Sequence, residues 1–375
     1  MSDRAGSRTT GVATLRPVRI ACVYGQEDMS RLVVANMSHI RWVRMAEALA
    51  RRGHQVDLVV NRRERTAPLA AGVGEVSFED VRWERYDVVK TFFHRGFDAL
   101  RAAGGAQHPF ILSKLGSVVG REQTPGVHFY GAVRAQLLET QEQIARRSRV
   151  VTILTAENAD LWRRTHGAAT PLVQVPTGVD AELPPPGPSP YPAIGVDGPV
   201  ALFAGNLYSL HQQPEINRLW QDRLNRLGRA LDRAGLRLVA MGTGVTDRLD
   251  RDAVVHVGPV PLREFWDWQR HAAVGLVLAQ STVQDNESSK IYYYLRTGLP
   301  VVCEQPVPNA WLVRDTGHGV LVPYDDVEAL AAATAKTALA PPLANGLPQY
   351  MALHHSWDAR ARLYDAVLAA ARRDA

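Results

Sequence analysis

"NESSKIYYYLRTGLPVV", residues 286–302, sets a polar cluster, one lysine, three consecutive tyrosines, a glycine and an apolar run in one order. Ser288 or Ser289 suits a helix N-cap, Lys290 falls in the first turn, and Gly298 stands where a glycine ends a helix. The "LPVV" that follows reads as a buried strand. Such a helix start points open backbone amides, the positive end of the helix dipole and an ammonium group at one spot, which suits a diphosphate. Tyr293 lies three residues beyond Lys290, so both share a helix face and the phenol is a candidate contact for a sugar beside the phosphates. Tyr292 and Tyr294 read as packing residues of the same helix.

The chain has 375 residues, 46% of them apolar and 22% charged, the balance of a globular protein too long for one ordinary core. Two domains are therefore expected. The longest apolar runs are strand-sized, too short to cross a bilayer. Residues 1–16 are polar and lack the apolar stretch of a signal peptide, which predicts a disordered leader and a cytoplasmic protein. Cys22 and Cys303 fall in separate predicted strands, without zinc-ligand spacing, and read as two buried thiols. Residues 1–180 hold 25 basic and 18 acidic side chains, against 18 and 20 in the remainder. The basic residues of the first half are scattered over predicted helices without interleaved aromatics, which argues against a nucleic-acid groove. A solvated surface, or weak association with an anionic membrane, fits that half better. Only four lysines occur (Lys90, Lys114, Lys290, Lys336), so a lysine inside a motif stands out in this arginine-rich chain.

Apolar runs alternate with helical patterns along the whole length, the signature of parallel sheets. The strands "VRIACVYG" (18–25), "VDLVV" (56–60), "YDVVKTFF" (86–93) and "PFILSKLG" (109–116) belong to a first half. Its first long helix is "HIRWVRMAEALARRGHQV" (39–56), with apolar residues at helical spacing and Gly53 near its end. A further helix covers 133–147. The segment "ELPPPGPSPYP" (182–192) carries six prolines and reads as a stiff linker. The alternation then restarts with "PVALFAG" (199–205) and runs to a last amphipathic helix over 357–373. The expected division is 17–181, a linker 182–198, a second domain 199–356, and a terminal helix 357–375 able to cross back to the first domain. His354 and His355 read as surface residues ahead of that helix. Two open α/β halves facing each other leave a ligand cleft at the carboxyl ends of their strands.

"AMGTG" (240–244) ends a predicted strand with glycines that let a ligand approach the backbone and leave amides for a phosphate, or that simply make a tight turn. "DNE" (285–287) is a possible metal-binding carboxylate pair. In an N-cap region it reads as turn chemistry, and no metal is expected.

Residues 287–302 resemble the "E…K…EY…G.PVV" signature of GT-B glycosyltransferases, above all the large family 4 (group 1) class. "VVTILTAENADLWRRTHG", "VQVPTGVD", "ALFAGNL" and "VHVGPVPLREFWDW" resemble further segments of that family in the same order. The resemblance implies an α/β GT-B fold: a Rossmann-like acceptor domain and a Rossmann-like nucleotide-sugar domain facing each other across a cleft. It implies a hexosyltransferase-type, metal-independent enzyme that moves a sugar from a nucleoside-diphosphate donor, a UDP-sugar by expectation. The arginine-rich, lysine-poor composition suggests a GC-rich bacterial source, where a small-molecule or an envelope-glycan acceptor is expected. The donor side implied is Gly205, Asn206, His211, Gly242, Gly244, Gln280, Glu287, Ser288, Ser289, Lys290 and Tyr293. Lys290 and the Ser288–Ser289 amides would stabilise the leaving diphosphate. His39 matches a family position, and it and Lys114, at a predicted strand end, are the acceptor-side candidates.

The sequence departs from the family where charge matters. Asn206 and His211 stand where relatives carry arginine and lysine, Tyr293 where they carry the ribose-binding glutamate, and Asp285 where they carry its partner. A serine-x-lysine pair with similar losses occurs in the inverting glucuronosyltransferases that build the xanthan repeat, so retention and inversion both stay open. An inverting reaction needs a base from the acceptor half. The candidates at strand ends are His94, Asp28 and Lys114, with His94 best placed. A nucleotide-sugar epimerase on the same fold and a nucleotide-sugar-binding or inactive partner protein are the competing readings.

Overall fold

The computed structural model describes residues 17–25, 37–61, 70–122, 131–207, 214–282, 284–340 and 346–371. Asp28 and His211 lie outside the described residues. Seven strands form one parallel sheet: β1 (Arg19–Val23), β2 (Gln55–Val60), β3 (Val73–Ser77), β4 (Val88–Phe92), β5 (Ile111–Lys114), β6 (Val150–Ile153) and β7 (Leu172–Gln174), in the order β3-β2-β1-β4-β5-β6-β7. Six more form a second: β8 (Val200–Ala204), β9 (Arg237–Met241), β10 (Val254–Gly258), β11 (Val274–Val277), β12 (Val301–Glu304) and β13 (Gly319–Val322), in the order β10-β9-β8-β11-β12-β13. Central strands such as β4, β11 and β12 are buried at every position, because helices cover both faces and no residue can alternate toward water.

The first sheet is flanked by α1 (Met37–Arg51), α2 (Phe93–Ala102), α3 (Gly131–Arg147) and α4 (Ala156–His166). The second carries α5 (Pro214–Arg233), α6 (Leu262–Arg270), α7 (Ser289–Thr297), α8 (Trp311–Thr316) and α9 (Val327–Leu339). The strand order reverses between β1 and β4 in one sheet and between β8 and β11 in the other. At such reversals the loops leaving the strands diverge and open a crevice. Strand β3 and helix α2 have no counterpart in the sequence reading. "VGEVS" is too short and polar to stand out, and "FHRGFDALRA" carries a glycine inside its pattern.

The chain closes with α10 (Leu347–His355), α11 (Trp357–Arg362) and α12 (Asp365–Ala371). The single terminal helix expected over 357–373 is broken at Leu363–Tyr364, where amides reach back only three residues, to Arg360 and Ala361. That tightening turns Tyr364 into the first sheet, where its hydroxyl accepts from Lys90 Nζ at 2.9 Å and its ring lies 4.1 Å from the same ammonium. Arg51 pairs with Asp358 and Arg52 with Asp365, so α11 and α12 lie against α1. His355 is buried, contrary to the surface reading: Arg360 Nη2 donates to its Nδ1 at 2.8 Å and its ring meets Tyr292. The proline-rich segment is laid along α6 by hydrogen bonds. Gly187 N–H donates to Asp267, Arg270 donates to the carbonyl of Pro184, and Tyr191 Oη donates to the carbonyl of Trp268.

Candidate functional site

Between the two sheets lies a cleft of about 440 Å³. One wall is made by the loops after β8 and β9, which approach each other at backbone distance. Gly205 N–H donates to the carbonyl of Met241, Leu207 N–H to that of Thr243, and Val245 N–H to that of Leu207. Gly242 and Gly244 have φ of 146° and 139°. A Cβ at Gly242 would stand 1.8 Å from the Gly205 carbonyl oxygen, and one at Gly244 would stand 1.2 Å from that of Leu207. The glycines are therefore required by loop-to-loop packing. The Gly242 amide is not open to a phosphate, because it donates to the Gly258 carbonyl at 2.9 Å. Gly205, Asn206, Gly242 and Thr243 line the cleft, and Thr243 Oγ1 donates to Asn206 Oδ1 at 3.1 Å.

The N-terminus of α7 forms the floor. Ser288 is the N-cap in extended conformation, and Gly298 ends the helix at φ 78°. The Ser288 side chain makes no capping bond, and its Oγ is buried without a partner. The Ser288 amide is held by Asn309 Oδ1 at 2.7 Å. The amides of Ser289, Lys290 and Ile291 have no acceptor within the helix and stand at its positive end. The Lys290 ammonium lies 5.5 Å from the Phe203 ring centroid and has no hydrogen-bonded or ionic partner among the described residues. Burial pushes its pKa down to about 8, opposed by the nearby Cys303. Among the described residues no carboxylate pairs with this ammonium, and its place at a helix N-terminus on the wall of a cleft is one that suits an anion.

Tyr293 lines the cleft with its ring, stacked on Trp266 at 5.2 Å and 15°. Its hydroxyl is buried on the side of Trp357, Asp180 and Arg44, so the phenol points into the protein and away from a sugar in the cleft. Tyr294 is a packing residue whose hydroxyl bridges the Ala204 amide and the Leu202 carbonyl. The far wall comes from α1, through Met37 and Ile40, and the base of the cleft from Pro259, Val260, Leu262 and Phe265. The "VHVGPVPLREF" segment, one of those that resemble the family, supplies this apolar base, and "AMGTG" supplies Thr243; Met37 had no sequence signal.

The remaining site candidates are placed elsewhere. Glu287 turns away from the cleft: its Oε1 accepts from the Thr177 amide at 2.6 Å and its Oε2 from Tyr292 Oη at 3.0 Å. Gln280 accepts from Tyr324 Oη through its carbonyl, and its amide donates to Gln284. His94 is buried at the start of α2 and bonded to Gln141 Oε1 at 3.2 Å, with burial pushing its pKa down to about 4. Gln141 also bonds both backbone groups of Val119, so the imidazole belongs to the packing of α3 against that loop. Lys114, at the end of β5, is buried with its ammonium on the carbonyl of Leu115 at 2.7 Å. Burial, with repulsion from Arg41 and Lys90, holds its pKa well below the usual lysine value. His39 stands on α1 edge-on to Tyr24 at 5.0 Å. The structure thus gathers Gly205, Asn206, Gly242, Ser289, Lys290 and Tyr293 in one cleft and sets His94, Lys114, Gln280 and Glu287 outside its lining. Among the described residues no group of three or more histidine, cysteine or acidic side chains is arranged to hold a metal ion. No helix of the described residues is long and apolar enough to cross a membrane.

No family model and no curated protein matches this chain. Solved structures are similar to it over nearly the whole length. A sucrose-phosphate synthase from Thermosynechococcus elongatus matches at 16% identity and a TM-score of 0.64, over 95% of this chain and 100% of the other. HepE from Anabaena, solved with UDP-glucose, matches at 12% identity and 0.64, over 94% and 100%. WaaG, a glycosyltransferase involved in lipopolysaccharide biosynthesis, matches at 14% identity and 0.59, over 93% and 95%. With two parallel sheets of seven and six strands facing one cleft, the chain has the GT-B fold of these glycosyltransferases.

Proposed function

We propose that the protein is a glycosyltransferase that takes a sugar from a nucleoside-diphosphate donor, a UDP-sugar, and passes it to an acceptor bound against the first sheet. The observation that carries this reading is the Lys290 ammonium, without a partner among the described residues, beside the open amides of α7 on the wall of the cleft. The similar HepE structure holds UDP-glucose, which supports the choice of donor. In this reading the base lies over the Pro259–Val260 segment, and the diphosphate lies at the start of α7.

Breaking the glycosidic C–O bond leaves its electron pair on the oxygen and adds one negative charge to the departing diphosphate. Lys290 and the Ser289–Ile291 amides meet that charge as it forms, without reorganising. Lys290 is thus the catalytic cation, and the glycine loops after β8 and β9 admit the ribose and phosphates close to the backbone. A cytoplasmic location fits a nucleotide-sugar donor, and the acceptor is a small molecule or an envelope glycan.

The test is thermal denaturation with UDP. Saturating UDP at about 100 times its Kd stabilises the protein by about 2.7 kcal/mol, a shift of a few degrees in Tm. Lys290→Met is expected to remove most of that shift. Absence of any shift with UDP, GDP or ADP in the wild type sinks the reading.

A further inference from the structure

The segment just ahead of α7 crosses from the second sheet to the first. Thr155 Oγ1 donates to the carbonyl of Asp285 at 2.6 Å, Asn286 Nδ2 donates to Ser117 Oγ at 2.8 Å, and Glu287 accepts the Thr177 amide at 2.6 Å. These partners belong to three separate pieces of the first half: the cap of α4, the loop after β5 and the turn after β7. The next residue, Ser288, is clamped from the second half, with both of its backbone groups on Asn309 at 2.7 and 2.9 Å. Four consecutive residues are therefore held, and the open amides follow directly.

Glu287 is the centre of this arrangement. It is buried, bonds the first half with one oxygen and Tyr292 of α7 with the other, and its charge is felt by the guanidiniums of Arg41 and Arg360. A carboxylate shared between two halves in this way cannot also reach a ligand in the cleft. We infer that Glu287 is a positioning residue: it sets the start of α7 against the first sheet, so that the diphosphate site is held in shape by groups of the opposite half. The inference rests on the donor reading above and reassigns Glu287 from the donor to the contact between the halves. Its consequence is that Ser117, which does not line the cleft, influences how tightly a diphosphate binds.

Calorimetric titration of UDP and UDP-glucose into the wild type, Glu287→Gln and Ser117→Ala separates the possibilities. The glutamine keeps the volume and one acceptor oxygen, and the alanine removes a single hydroxyl, so both variants retain the fold. Loss of the Asn286–Ser117 bond in one variant, and of the carboxylate charge that strengthens the Thr177 bond in the other, predicts affinity weaker by about three- to tenfold in each. The factor is expected to be the same for UDP and UDP-glucose, because what is disturbed is the diphosphate site. A direct contact of Glu287 with the sugar would instead weaken UDP-glucose and spare UDP, which overturns the inference. So does a lower Tm with unchanged affinities, the mark of a merely structural role. If the wild type binds neither ligand, the donor reading falls and the positioning role falls with it. If the wild type binds and the variants match it, the positioning role alone is refuted.

Discussion

Replacing Lys290 by methionine removes one charge from the cleft and keeps an unbranched apolar chain over Phe203. Its effect on diphosphate binding follows from the surroundings. At about 4 Å and an effective dielectric near 20, an ammonium and a phosphate oxygen attract by about 4 kcal/mol. The side chain is only partly covered, so screening and the hydration it gives up reduce the net contribution to about 1.5–3 kcal/mol. The expected result is a Kd raised about 10- to 150-fold for UDP, read by calorimetry at fixed ionic strength. The pH profile gives a second, independent readout. The free ammonium titrates near pH 8, and a bound diphosphate raises that value, so binding takes up a proton above pH 8. Affinity of the wild type is therefore flat between about pH 7 and 8, above the range in which the terminal phosphate of UDP itself protonates. Above it, affinity falls by up to about tenfold per pH unit, while the methionine variant shows no such fall. A variant that binds UDP within about threefold of the wild type, or a wild type with unchanged affinity from pH 7 to 9.5, refutes the assignment of Lys290 to the diphosphate.

Gly244→Ala is expected to cost about 3 kcal/mol or more in urea unfolding, because a Cβ overlaps the Leu207 carbonyl at a φ that L-residues avoid; stability within 1 kcal/mol of wild type contradicts the packing account. Lys90 is buried in β4 and its pKa is pushed down to about 7 by burial, with Cys22 opposing. The unfolded chain holds the proton up to about pH 10.4, so Lys90 makes stability rise with pH from 7 upward, by at most about 1.4 kcal/mol per unit. Lys90→Met is expected to lose this rise between pH 7 and 9 and to be at least as stable as wild type at pH 7; parallel pH profiles would show that Lys90 is not the source. Arg223, buried in α5, pairs with Glu304 and also donates to the Ala279 carbonyl at 2.8 Å. Glu304→Ala leaves the guanidinium only the more exposed Asp325, 3.1 Å away, and strips the Ala279 and Asp325 amides of their acceptor; it is expected to cost about 3–5 kcal/mol by calorimetric unfolding, against little change if water replaces the carboxylate.

Much of the fold was legible in the pattern of residues. Runs such as "VRIACVYG" and "VGLVLAQ" are apolar without alternation, which only strands covered on both faces tolerate, and the prolines of 184–192 mark the passage between the halves. Gly298 was readable as a helix end because a left-handed residue is needed there. Strand β3 was hidden because it carries Gly74 and Glu75 at the sheet edge, where burial imposes no pattern. The break before α12 was hidden because its cause, the hydroxyl of Tyr364 meeting Lys90, is 274 positions away in sequence.

The candidate site was legible only in part, and Glu287 shows why. It stands within three residues of Lys290, and proximity in sequence put both on the donor. In the structure one faces the cleft and the other the first sheet. His94 ends a strand as a base would, but Gln141 and α3 close over it. Chain order and side-chain chemistry by themselves decided which elements form, that two parallel sheets would stack their loops at one cleft, and that a lysine would begin the helix there. Which polar atoms are left without partners was decided by tertiary contacts, several of them between segments more than a hundred residues apart. Local sequence sets backbone geometry, whereas a hydrogen bond is satisfied or left open by whatever the rest of the chain brings within 3 Å.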